Sequence, residues 1–197
     1  MINRNEFARI IKIEGKVRGT TLKTDAEYVR RKWGEDGLKA IEVDFKELGY
    51  PIEYNKIKDL DWYPACARVL SLLLIKERFN LKEQDIEEMG RMTPKFSFIV
   101  KLIIKMASTL KKGIENMSKV WNKYYDIGSF EVVKFSEQEK FLIIRLKDFE
   151  LHPILCRYLT GYFCGLLQFL MPDEDIKIEE LKCMFRGDPH HEYRFTW

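Results

Sequence analysis

The chain has 197 residues, 46% of them apolar and 33% charged, and a formal net charge of +3. That length supports one compact domain with a substantial core, and the near cancellation of 34 basic by 31 acidic residues argues against a dedicated nucleic-acid or membrane-surface protein. Charges interrupt every apolar run of the first 19 residues, and the longest apolar runs, such as 69–75, fall far short of the roughly 20 residues of a bilayer span. A cytoplasmic protein is expected, in which Cys66, Cys156, Cys164 and Cys183 serve as thiols or metal ligands rather than as a disulfide framework.

Taken in chain order, Thr24 with Glu27 three residues on reads as a capping box opening a helix through Trp33. Gly34 and Gly37 punctuate a second helical run to Leu48, and Gly49-Tyr50-Pro51 turns the chain. Helical spacing predicts a core helix over 62–79, then helices over 83–92, 95–111 and 113–126, the last placing Trp121 and Tyr125 on one face. The period then changes to alternation around Ser136-Glu137-Gln138-Glu139, which predicts a β-hairpin of 129–135 and 140–147. Segment 151–170 is apolar nearly all round, so a buried helix is expected, with Gly161 and Gly165 allowing a close neighbour. Two strands, 176–185 and 191–197, complete an α+β chain of helices packed on a small twisted antiparallel sheet, with an N-terminal helical region.

The chemistry concentrates near the end. Cys156, Glu180, Cys183 and the neighbouring pair His190 and His191 supply sulfur, oxygen and nitrogen donors around one hairpin, a set that tetrahedral zinc accepts. The alternative is that the cysteines are small buried residues and the histidines polar turn residues. Glu180 and Cys183 are an odd number of positions apart, which sends their side chains to opposite faces of a regular strand. A shared site there needs a bulge or a strand end between them. His152 beside Pro153 is either a general acid or a turn residue at a helix start.

The pattern Cys156-x4-Gly161-x3-Gly165, Glu180-x2-Cys183-x3-Gly187-Asp188-x2-His191, closed by an aromatic strand from Tyr193 to Trp197, resembles the 4-vinyl-reductase-type domain of aromatic-sensing transcription activators. The resemblance implies a structural zinc at Cys156, Glu180, Cys183 and His191, with His191 in place of the usual thiol and His190 as an alternative ligand. It divides the chain into an N-terminal helical extension, 1–60, and a ligand-binding domain, 61–197, unless the two are continuous. Across the wider superfamily of haem nitric-oxide sensors and tethering subunits, the space between sheet and helices holds a hydrophobic molecule. Here it would be lined by Phe130, Phe135, Tyr158, Tyr162, Leu166 and Ile178, residues that also suit a plain core.

The function so implied is a sensory or regulatory domain for an aromatic or hydrophobic ligand, a homodimer by resemblance. Because no helix-turn-helix or P-loop motif is present, its output would pass through a protein effector or a dimer interface. Alternatives are an enzyme acting on a hydrophobic or tetrapyrrole-like substrate, although no dinucleotide fingerprint or Ser/His/Asp motif is present, and a lipid-holding assembly subunit. The haem branch is set aside because the chain lacks the Tyr-x-Ser-x-Arg signature that holds haem propionates.

Overall fold

The computed structural model describes residues 2–97, 100 and 109–197. Among them, six α-helices pack with two antiparallel sheets in an α+β fold. None of the described helices is long and apolar enough to cross a membrane.

The chain opens with α1 (Arg4–Ile10), absent from the sequence expectation and capped by Asn3, whose side chain accepts from the Glu6 N–H at 2.9 Å. Strand β1 (Lys16–Arg18) pairs with β2 (Trp62–Pro64) in a two-stranded sheet. It brackets α2 (Gly19–Glu47), which breaks at Gly34 with φ 71°, as the glycine there suggests. Thr24 is not the cap of this helix but lies one turn inside it. Its hydroxyl donates to the Thr21 carbonyl at 2.7 Å, the backward bond by which a mid-helix threonine satisfies itself. The helix expected over 62–79 starts later, as α3 (Ala65–Arg78), because Trp62–Pro64 is used in the small sheet.

Next, α4 (Glu83–Phe96) runs past its expected end and carries Pro94 within it. The helix expected over 95–111 falls largely outside the described residues. α5 (Leu110–Tyr124) leads into the hairpin of β3 (Ser129–Ser136) and β4 (Phe141–Lys147). α6 (Pro153–Leu170) is capped by His152, whose Nδ1 accepts from the Ile154 N–H at 3.1 Å; that is the turn role, and burial lowers its imidazole pKa. β5 (Lys177–Lys182) and β6 (His191–Thr196) finish a four-stranded antiparallel sheet of order β3-β4-β6-β5.

The sheet's central pair sets the core. Leu142, Ile144 and Leu146 of β4 are fully buried, and Ile144 lies opposite Tyr193 of β6, also fully buried. Against this pair, α6 crosses α4 at backbone contact. A Cβ on Gly161 would stand 1.7 Å from the Glu87 carbonyl oxygen, and one on Gly165 would stand 2.3 Å from that of Arg91. The close neighbour expected from the two glycines is thus α4, which answers with its own Gly90 against the Tyr158 carbonyl.

Candidate functional site: an interior cavity and a thiol–imidazole cluster

Among the described residues, five helices and the first strand of the larger sheet line one cavity. Its walls are Thr20, Thr21 and Thr24 from α2, Arg68 from α3, Thr93 and Ser97 from α4 and its end, and Met117, Val120, Trp121 and Tyr124 from α5. Tyr125, Phe130 of β3, and Tyr158, Leu159, Tyr162, Phe163 and Leu166 of α6 complete them. The void measures about 580 Å³ with its mouth included, yet only about 40 Å³ of it admits the centre of a water molecule, room for a few waters. Aromatic rings occupy the rest: Trp121 stacks on Tyr125 with centroids 4.5 Å apart, and Phe130 lies 5.6 Å from Phe163.

Four of the residues expected to line a pocket (Phe130, Tyr158, Tyr162 and Leu166) face this void. Phe135 and Ile178 do not. Phe135 sits toward the hairpin end with its ring 6.3 Å from Trp197, and Ile178 pairs with Phe195 on the strand at the sheet's other edge.

At one wall lies a feature that sequence reading missed, an ion pair with both partners buried. Arg68 is 1% exposed and Asp25 fully buried. The Arg68 guanidinium donates to the Asp25 carboxylate and to the Thr21 carbonyl. Ser71 donates to the same Asp25 oxygen at 3.0 Å, so the Tyr54 hydroxyl, 2.7 Å from Ser71 Oγ, donates in turn to Ser71. Among the described residues, Asp25 Oδ1, Arg68 Nε and the Tyr28 hydroxyl are buried without a hydrogen-bond partner. Asp25 falls inside what reads as a capping box and Arg68 in what reads as an apolar core helix, so neither stood out as half of a pair. A charged residue inside the dense apolar run 65–75 was the available clue.

A second constellation lies at the start of α6 and the final hairpin. Ligand atoms of Cys156, Glu180, Cys183 and His191 all fall within 4.8 Å of one another. The Cys156 and Cys183 sulfurs are 3.7 Å apart, Cys156 Sγ is 4.0 Å from His191 Nδ1, and His191 Nδ1 is 3.8 Å from Glu180 Oε1. His191 Nε2 donates to the Phe149 carbonyl at 3.2 Å, which leaves Nδ1 as the nitrogen facing the cluster. His190 turns instead toward Glu192, with Nε2 3.4 Å from its carboxylate.

The odd offset between Glu180 and Cys183 is resolved in both of the ways it allows. The β5–β6 register shifts between Glu180 and Lys182, and Cys183 lies just past the strand's end. Gly187 at φ 90° and Asp188, accepting from the Cys183 N–H at 2.8 Å, close the turn. Burial pushes the Cys156 thiol well above its usual range, and the nearby Cys183 and Glu180 add to it. Burial also works upward on Glu180, but the neighbouring His191 ring and the Arg186 charge outweigh it and hold the carboxyl low.

No family model matches the chain, and no curated protein matches it. Solved structures do. An H-NOX protein from S. oneidensis in the Fe(II)NO ligation state superposes with a TM-score of 0.68 at 13% identity, covering 90% of this chain and 97% of that one. An oxygen-binding H-NOX domain related to soluble guanylate cyclases, in its oxygen complex, gives 0.66 at 15%, covering 91% and 94%. A structure described by haem redox potential modulated through protein-induced porphyrin distortion gives 0.66 at 15%, covering 91% and 99%.

These matches correct two expectations. The resemblance to the 4-vinyl-reductase-type domain rested on eight positions in the last 42 residues, whereas the structural likeness covers 90–91% of the chain. The branch set aside for want of one motif is the one whose fold the chain shares. The structural zinc expected from that resemblance is withdrawn with it, because the matched domains are described by haem, iron and gas ligation. By its fold, the chain stands with the H-NOX domains.

Proposed function

We propose that the chain is a sensory ligand-binding domain whose interior cavity takes a small apolar or aromatic molecule directly, without a haem. The observation that carries this is the cavity itself: a ring-walled void at the centre of a fold whose matched structures include oxygen and nitric-oxide complexes.

The residues present do not fit a haem. The chain's histidines are His152, His190 and His191 and its cysteines Cys66, Cys156, Cys164 and Cys183, and none of them lines the cavity. Tyrosine can also ligate haem iron, but Tyr124 and Tyr158 are engaged with Ser97 and Thr93 at 3.0 and 2.6 Å. Burial raises the hydroxyl pKa of Tyr124, Tyr125, Tyr158 and Tyr162, away from the phenolate. The room of a few waters is also far below that of a macrocycle. A ring-sized guest enters only by displacing side chains, and Met117, with three rotatable bonds, is the most adaptable wall.

Titration with toluene, followed by the indole N–H resonances, tests the reading. Saturable shifts at Trp121, with Trp62 at the surface unmoved, support it; no saturable shift at Trp121 contradicts it.

The Cys156, Glu180, Cys183 and His191 set is proposed separately as ligands for a metal ion of unassigned element. Supporting this is the Glu180 Oε1 atom, buried and without a hydrogen-bond partner beside two thiols and an imidazole nitrogen. Elemental analysis of wild type and Cys183→Ala tests it: a metal lost in the variant supports the set, and none in the wild type removes it.

A further inference from the structure

We propose that the cavity's ligand carries an anionic oxygen, a carboxylate or phenolate on a small ring, and that Arg68 receives it. This rests on the reading of the cavity as a ligand site and adds the ligand's chemistry.

Three observations point the same way. Arg68 lines the cavity at 1% exposure, and among the described residues its Nε has no hydrogen-bond partner, so one donor of a buried, permanently charged group is left unused. A buried, unused donor of this kind is costly unless an acceptor meets it. Hydroxyls gather around the same end: Thr93 donates to the Met89 carbonyl at 3.0 Å, so it accepts from Tyr158, whose ring lies under the Arg68 guanidinium at 4.5 Å. The remaining wall is largely aromatic, with Trp121, Phe130 and Phe163 in mutual ring contact. A ligand with one charged oxygen and one ring matches both the guanidinium and the aromatic wall.

The approach is suited to an anion as well. Thr20 and Thr24 are shared between the cavity and an outer cleft lined by Lys23, Arg30, Arg31 and Lys95 against Glu27 and Asp59, an excess of positive charge at the common wall. Asp25 already partners Arg68, but burial pushes its carboxyl up to about 7 against the pull of Arg68. Near neutral pH, part of the population therefore leaves the guanidinium without a counter-charge.

Calorimetric titration with benzoate, toluene and benzylammonium, on wild type and on Asp25→Leu/Arg68→Met, tests this. Replacing both partners of the pair together leaves no charge stranded, and a thermal melt checks that the variant folds. Benzoate should bind wild type at least about tenfold tighter than toluene, with benzylammonium weakest. The double variant should lose that preference while keeping toluene. Toluene binding as tightly as benzoate in wild type, or a variant that still prefers benzoate, would overturn the anion proposal and leave the cavity reading standing. Binding of none of the three removes both. Should the variant unfold, the order of the three ligands on wild type decides alone.

Discussion

Gly161 of α6 faces Glu87 of α4 across a gap that holds no side chain: a Cβ at Gly161 would lie 1.7 Å from the Glu87 carbonyl oxygen. Because the obstacle is backbone and not a flexible side-chain end, Gly161→Ala must push the two helices apart. It should lower stability by about 3 kcal/mol, at the upper end of overpacking costs, read as a fall in the urea midpoint at unchanged slope. Gly49→Ala, with open space around its Cβ but a φ of 82°, should cost about 1 kcal/mol through backbone strain alone.

The buried pair makes a second prediction by asymmetry. Asp25→Leu alone strands the buried Arg68 guanidinium, which stays charged, and should cost about 3–5 kcal/mol near neutral pH, whereas Asp25→Leu/Arg68→Met should fall within about 1 kcal/mol of wild type or exceed it. Chemical denaturation of the three proteins measures both. Equal losses in the single and double variants would show that the pair is not an isolated buried charge couple.

The same pair sets a pH dependence. The Asp25 carboxyl rises from 3.8 to about 7 on folding, since burial outweighs Arg68 and the Ser71 hydrogen bond. Between about pH 4 and pH 7 the folded state keeps a proton that the unfolded state releases, so this group's contribution to stability falls as pH rises through that window and is flat above it. Facing it are Arg68 and Tyr54, the latter's hydroxyl pushed up by the same burial, so neither titrates in that range. Unfolding free energies measured from pH 4 to 8 should show the decline in wild type and lose it in the double variant.

Thr93 links two helices through one hydroxyl. Thr93→Val leaves the Tyr158 hydroxyl without its 2.6 Å acceptor in a buried wall and should cost about 1–3 kcal/mol. A thermal melt checks it, with Thr109→Val at an exposed helix cap expected to cost about 1 kcal/mol through loss of its bond to the Lys112 N–H.

Much of the C-terminal half is legible in the residues. Alternation from Phe130 to Leu146 sets the hairpin, and the glycine pair on α6 announces a close helix neighbour. Thr24 misled because a threonine hydroxyl serves a cap and a backward mid-helix bond equally well. Trp62–Pro64 read as helix because the partner that makes it a strand lies 46 residues earlier, at Lys16–Arg18. The cavity was half legible: Phe130, Tyr158, Tyr162 and Leu166 come from elements adjacent in the sheet and α6, while Thr20, Thr24 and Arg68 arrive through the packing of α2 and α3, which no local pattern encodes. Cys156, Glu180, Cys183 and His191 do gather in space, yet the fold the chain shares is that of H-NOX domains and not the one the motif indicated.

The most direct test of the central claim is reconstitution of the purified protein with haem, followed by its absorption spectrum. A haem-free sensor with this interior gives no stoichiometric Soret band, and toluene binds unchanged in the presence of added haem. A one-to-one haem complex with a shifted Soret band that toluene displaces, and that responds to nitric oxide, would contradict the account.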